Sequence, residues 1–378
     1  MAKDTISRKR KPGKRETLFT GFRLDEHYDG DKELKVGWIT ANKYNVANFL
    51  IVAFLCLFAL QRFHVFSSQS KTLEFSKDVH NWRDSGYLFT HQNHEIFYQD
   101  IYKMKPFRRT PVLLILHGFP TSSYDWKKIV FKFQKYFGRI IITDMLGFGF
   151  SDKPSSHVYS IMEQATINEE LLSFLNISKV HILAHDYGDT VAQEMLHRYN
   201  SGMYGSRLSI DSLCLSNGGI IPSAHQPRPI QKLFLVPGLG KLLSYVTVRF
   251  IFDRSFSQIF GPNTQPTEKD LDDFWSIIGY NSGMSVASNI LQYIKERHEN
   301  EDRWVGALRD TAVPLHLIYG PEDPVNTPEV FLVSYRNLIP NSTVTVLDMI
   351  GHYPQFEDPK GFLKSFNSFM KSVFKGKK

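Results

Sequence analysis

Cysteine is nearly missing: 378 residues hold two, Cys56 and Cys214. That excludes a disulfide framework and a thiolate metal cluster. His117, His181 and His185 have no ligand spacing with acids or cysteine, so no metal and no cofactor is expected. Acidic residues are also short, 38 Asp plus Glu against 45 Lys plus Arg, for a formal charge of +7. The excess sits in residues 1–15, where Lys3, Arg8, Lys9, Arg10, Lys11, Lys14 and Arg15 face only Asp4. A basic groove across the protein is thereby excluded and no nucleic-acid partner is expected. Residues 1–45 read as a solvated, disordered basic tail.

Long hydrophobic runs are scarce too. The one that stands out, Val46–Leu60, is uncharged and has a single polar residue, Asn48. Extended to 46–66, with Gln61, Arg62 and His64 reaching one interface, it reads as an uncleaved membrane anchor, close to the ~20 residues a bilayer requires. A signal peptide and a buried core helix are the competing readings. Basic residues concentrate before the anchor, which favours a cytosolic N-terminus and a luminal catalytic domain. Two sequons, Asn176-Ile177-Ser178 and Asn341-Ser342-Thr343, are usable only in that orientation.

Beyond Val79 short β-rich apolar runs alternate with longer helical patterns. Strands are predicted at His94–Ile101, Pro111–Gly118, Arg139–Met145, Lys179–His185, Ile210–Ser216, Pro314–Gly320 and Thr343–Met349. Helices are predicted at Tyr159–Leu175, Asp189–Tyr199, Pro328–Leu338 and Pro359–Phe374. Such alternation implies an α/β fold, a mostly parallel sheet flanked by helices. It breaks between 221 and 308, where only helical patterns occur: Gln231–Phe252, Asp270–Ile278 and Ser285–Arg297. The domain plan is therefore a core of 76–220 and 309–378 with an inserted helical cap, 221–308, over the strand ends.

Ala184-His185-Asp186-Tyr187-Gly188 falls where a strand meets a helix. Small residues bracket Asp186 as glycines bracket the serine of G-x-S-x-G, so Asp186 is a candidate nucleophile; a plain helix N-cap is the alternative. Leu116-His117-Gly118-Phe119-Pro120 closes an earlier strand and offers the Phe119 amide for an oxyanion hole, with Tyr187 giving the second. Asp144-Met145-Leu146-Gly147-Phe148-Gly149 lacks the context of a dinucleotide loop and reads as a structural turn. Asp323, in Gly320-Pro321-Glu322-Asp323, and His352, in Gly351-His352-Tyr353, end two later strands and complete the order Asp186, Asp323, His352. Asp323 would orient His352 to activate water.

Together HGFP, DxxGxGxSDKP, HDYG, GPEDPV and GHYPQFEDP resemble the α/β-hydrolase superfamily, in its branch of epoxide hydrolases and haloalkane dehalogenases. The resemblance covers about 79–374 and implies a hydrolase at the endoplasmic reticulum membrane. It implies a lipophilic small-molecule substrate attacked by Asp186 to give a covalent alkyl-enzyme ester. Haloalkane dehalogenases commonly carry Trp after the nucleophile; Tyr187 stands there instead, which favours an epoxide over a halide. In epoxide hydrolases cap tyrosines protonate the emerging alkoxide, and Tyr245, Tyr280 and Tyr293 are the candidates, Tyr293 first. Asp189 departs from the family: its charge either meets the helix dipole or raises the pKa of Asp186. A non-catalytic lipid-binding or scaffold protein, and a dehalogenase or ester hydrolase, are the alternatives.

Overall fold

The computed structural model describes residues 74–103, 110–202, 208–236, 238–246 and 249–376. The expected tail, 1–45, and anchor, 46–66, lie outside the described residues. Among the described residues no helix is long and apolar enough to cross a membrane.

Among the described residues eight strands form one sheet: β1 (Tyr87–His91), β2 (His94–Tyr102), β3 (Val112–Leu116), β4 (Arg139–Thr143), β5 (Lys179–Ala184), β6 (Ser209–Ser216), β7 (Leu315–Tyr319) and β8 (Thr343–Val346). Their spatial order is β1-β2-β4-β3-β5-β6-β7-β8. The pairs β1–β2 and β2–β4 are antiparallel and the others parallel. Interior strands such as Val112-Leu-Leu-Ile-Leu116 and Leu315-His-Leu-Ile-Tyr319 are apolar almost throughout because both their faces are covered. Helices Ile161–Phe174 and Tyr187–Asn200 pack one face through Leu171, Val191 and Met195. Helix Pro359–Lys375 packs the other through Phe362, Phe366 and Met370.

Three features differ from the sequence expectation, one being that the helix expected over Ser285–Arg297 divides into Tyr280–Val286, Ala287–Ile290 and Tyr293–Glu299. The edge strand β1 has no counterpart in it, because Tyr87 and Leu88 are exposed and the strand is stabilised only by pairing with β2. The single helix expected over Gln231–Phe252 is three: Pro229–Phe234, Leu239–Val246 and Arg249–Ser257. Gly238 at φ 76 takes a left-handed turn between the first two. Helices Glu268–Gly279, Tyr293–Glu299 and Glu301–Arg309 then complete the insertion between β6 and β7.

Candidate active site

Four loops at the carboxyl ends of β3, β5, β7 and β8 converge, as ligand sites do in open parallel sheets. Asp186 follows β5 and opens helix Tyr187–Asn200 with φ 47 and ψ −106, a strained backbone for a residue with a Cβ. Close packing holds that turn. A Cβ on Gly188 would stand 2.8 Å from the His117 carbonyl oxygen, and one on Gly118 would stand 2.9 Å from the Asp186 Cβ. Although Asp186 occupies the N-cap position, its side chain makes no capping hydrogen bond. Its Oδ2 instead accepts from the Phe119 amide at 3.1 Å, across to the loop after β3. The Tyr187 amide, expected as the second donor, makes no hydrogen bond to the Asp186 carboxylate among the described contacts. It sits instead at the start of the helix that follows the turn.

His352 and Asp323 form the second half of the site. The imidazole Nδ1 donates to Asp323 Oδ2 at 2.9 Å, and Nε2 lies 3.9 Å from Asp186 Oδ2, beyond direct hydrogen bonding. Asn217 and Asn326 also donate to Asp323 Oδ2, at 3.1 and 2.9 Å, and the Val325 amide donates to Oδ1 at 2.8 Å. The His352 loop is held by Glu357, whose carboxylate accepts from the Gly351 and Tyr353 amides on either side of His352, both at 2.9 Å. From below, His185 Nε2 bonds the His352 carbonyl at 2.7 Å.

One participant had no signal in the sequence. Arg297, on helix Tyr293–Glu299, is 1% exposed and reaches from the insertion to the nucleophile. Its Nη2 donates to the Asp186 carbonyl at 3.1 Å and stands 3.5 Å from Oδ1, while Nε donates to Thr190 Oγ1 at 2.7 Å. An arginine within a helical pattern is ordinarily a solvated face, so only the tertiary contact identifies it.

These charges set the protonation states. Burial alone would raise the Asp186 carboxyl, but the charges of His352 and then Arg297 outweigh it and hold it below the usual 3.8. Burial would likewise raise Asp323, yet the charge of His352 and its hydrogen bond bring it down to about 2. Burial pushes His352 down, but Asp323, through charge and hydrogen bond, and then Asp186 raise it to about 9. The resting site thus holds two carboxylates, an imidazolium and a guanidinium. His185 and His225 stay neutral, lowered to about 3 and about 4 chiefly by burial.

Asp189 corrects an expectation. It is fully buried, both its oxygens lie 3.3 Å from the Ser216 amide, and burial pushes its carboxyl well above the ordinary range. Asp186 is nonetheless held below its ordinary value, so the expected upward shift of the nucleophile by Asp189 does not occur.

Of the three candidate tyrosines, the structure brings Tyr293 to the site. Its ring meets Tyr187 edge-on at 4.9 Å, lies 6.1 Å from Phe119 and carries the Arg297 guanidinium at 4.4 Å. Burial, then the charge of Asp186, raises its phenol, so it keeps its proton through the physiological range. The Tyr280 ring packs instead on Phe150 and Phe75 at 5.4 and 5.7 Å and beside Lys153. Tyr245 belongs to helix Leu239–Val246, but its side chain lies outside the described residues.

A cavity of about 120 Å³ opens beside the site, between the loops after β3 and β4 and the insertion. Phe119, Phe148, Phe234, Phe252, Ile290 and Leu291 make it apolar. Its wall includes Phe119, whose amide donates to Asp186.

The ion pairs carry a pH signature. The raised pKa of His352 contributes stability that is fully present below its ordinary 6.5 and is lost as pH rises through about 9. The depressed pKa of Asp323 contributes above 3.8 and is lost as pH falls through about 2. Urea unfolding of wild type and His352→Gln should therefore diverge with pH, the gap shrinking by on the order of 2–3 kcal/mol from the weakly acidic to the alkaline end. A gap independent of pH would mean that His352 is neutral at rest.

Residues 111–236 match the family described as alpha/beta hydrolase fold. The chain is 48% identical over 303 residues to the mesoderm-specific transcript protein of Mus musculus, covering 79% of this chain and 90% of that relative. Among solved structures it resembles the epoxide hydrolase CorEH, with a TM-score of 0.60 and 19% identity over 76% of this chain and 99% of that one. It also resembles the haloalkane dehalogenase DbeA of Bradyrhizobium elkani, with a TM-score of 0.63 and 19% identity over 77% and 99% of the respective chains. At that identity the two structures establish the fold alone.

Proposed function

Because this chain belongs to the α/β-hydrolase fold family, we propose that it is a hydrolase using Asp186 as nucleophile on a lipophilic epoxide, held at the endoplasmic reticulum membrane by 46–66. The observation that carries this reading is an ionised carboxylate on a strained turn, facing the Phe119 amide on one side and the His352–Asp323 pair on the other.

A carboxylate needs no base to attack carbon at neutral pH. An Asp186 oxygen forms the C–O bond, the epoxide C–O bond breaks, and the alkoxide takes the Tyr293 proton. Asp186 is then a neutral ester, so His352 has lost one of the two anions that kept it protonated. Its pKa falls, its proton returns to the Tyr293 phenolate, and Nε2 becomes a base. Water attacks the ester carbonyl and gives its proton to Nε2, the developing oxyanion faces the Phe119 amide, and collapse releases a diol and the carboxylate. An apolar cavity beside Phe119 suits a hydrocarbon tail.

Intact-mass analysis of His352→Gln after exposure to lipid extracts and a small epoxide panel tests this, since removing the water activator should strand the ester. An adduct mapped to Asp186 is the expected result. Without adduct or wild-type turnover on the panel, the non-catalytic lipid-binding reading takes precedence.

A further inference from the structure

The insertion leaves large apolar side chains in water. Leu233, Val236, Leu239, Leu242, Phe250 and Ile251 are all exposed, Leu242 at 59% and Phe250 at 71%. They come from three consecutive helices or the turns between them. Leu239 and Leu242, three residues apart on one helix, share a face. An apolar surface of this kind on a globular protein marks a contact rather than scatter.

What covers it is indicated by charge. No acidic residue occurs between Asp211 and Asp253, whereas Arg228, Lys232, Lys241 and Arg249 fall within that stretch, Arg249 being paired with Asp253 and Asp272. Lys232 and Lys241 are exposed beside the apolar residues. Leu and Phe framed by Lys match the composition of helices that lie in the headgroup region of a bilayer.

The same helices wall the cavity. Ile230, Gln231 and Phe234 line it from the first and Ile251, Phe252 and Ser255 from the third. Ile251, 43% exposed, belongs to both the outer face and the cavity wall. We propose that this face docks on an anionic phospholipid bilayer and that lipophilic ligand passes from the bilayer into the cavity between the first and third helices. The inference goes beyond the hydrolase reading, because docking requires no turnover.

Site-directed fluorescence on the full chain tests it apart from any anchoring by 46–66. In a Cys56→Ser background, with Cys214 fully buried, Leu242→Cys and Phe250→Cys are each labelled with a polarity-sensitive dye. Val158→Cys, at a residue 86% exposed on the core, is the control. With phosphatidylcholine vesicles containing phosphatidylserine, the labels at 242 and 250 should shift to the blue and be quenched by brominated acyl chains, while 158 does not respond. Lys232→Gln with Lys241→Gln should raise the phosphatidylserine content needed for half the shift. Labels at 242 and 250 that stay as aqueous as 158 with vesicles present would overturn the proposal. So would a blue shift that needs no lipid and grows with protein concentration, since it would assign the face to a second copy of the chain.

Discussion

Asp186→Asn abolishes covalent labelling. In the His352→Gln background, any electrophile that leaves an adduct on Asp186 should leave none on the double variant, and in the wild-type background Asp186→Asn alone should lower steady-state turnover by at least about 10⁴-fold. The amide is isosteric, can still accept from the Phe119 amide, and lacks only the charge and nucleophilicity of the carboxylate. A structural defect is distinguishable by a second readout. In the single Asp186→Asn variant, with one anion gone, His352 should titrate below its value of about 9, whereas a misfolded site would show no ordered imidazole at all. Residual labelling at the wild-type rate would move the nucleophile elsewhere.

Arg297→Met should produce the largest loss of stability of any single change at the site, on the order of 3–5 kcal/mol, since removing one partner of a buried charge cluster strands the others. Here the stranded groups are the Asp186 carboxylate and carbonyl and the Thr190 hydroxyl, all served by one guanidinium. The functional consequence has a definite sign. Arg297 is the second charge holding Asp186 low, so without it the carboxyl titrates higher and the acid limb of labelling moves to higher pH. Arg297→Lys should recover part of the limb but less of the stability, because an ammonium cannot span Thr190 and Asp186 as a guanidinium does. Urea unfolding and the pH dependence of labelling measure the two effects separately. An unshifted limb in the Met variant would mean that Arg297 serves the backbone alone.

Arg297 also shows where reading the chain ends. Interior strands such as β3, β5 and β7 were visible as apolar runs because burial on both faces writes a pattern into the residues. The edge strand β1 lacks that pattern because half of it faces water. The nucleophile turn was legible because its tightness demands small neighbours at Ala184 and Gly188, a requirement local in sequence. Glu357, five residues after His352, supports the loop through two amides, yet nothing in the motif distinguishes it from an ordinary helix-start acid.

The sequence by itself determined the α/β alternation, the helical insertion, and the chain positions of Asp186, Asp323 and His352, because each follows from periodicity or from the sterics of a short turn. Only the tertiary structure decided that Tyr293 packs on Tyr187 and Arg297, that Asp189 is fully buried, and that a cation from the insertion lies against Asp186. Those outcomes depend on distances between residues up to 111 positions apart and on how much water is excluded around them. A charge in a dry interior is set by its spatial neighbours, and the order of residues along a chain does not contain them.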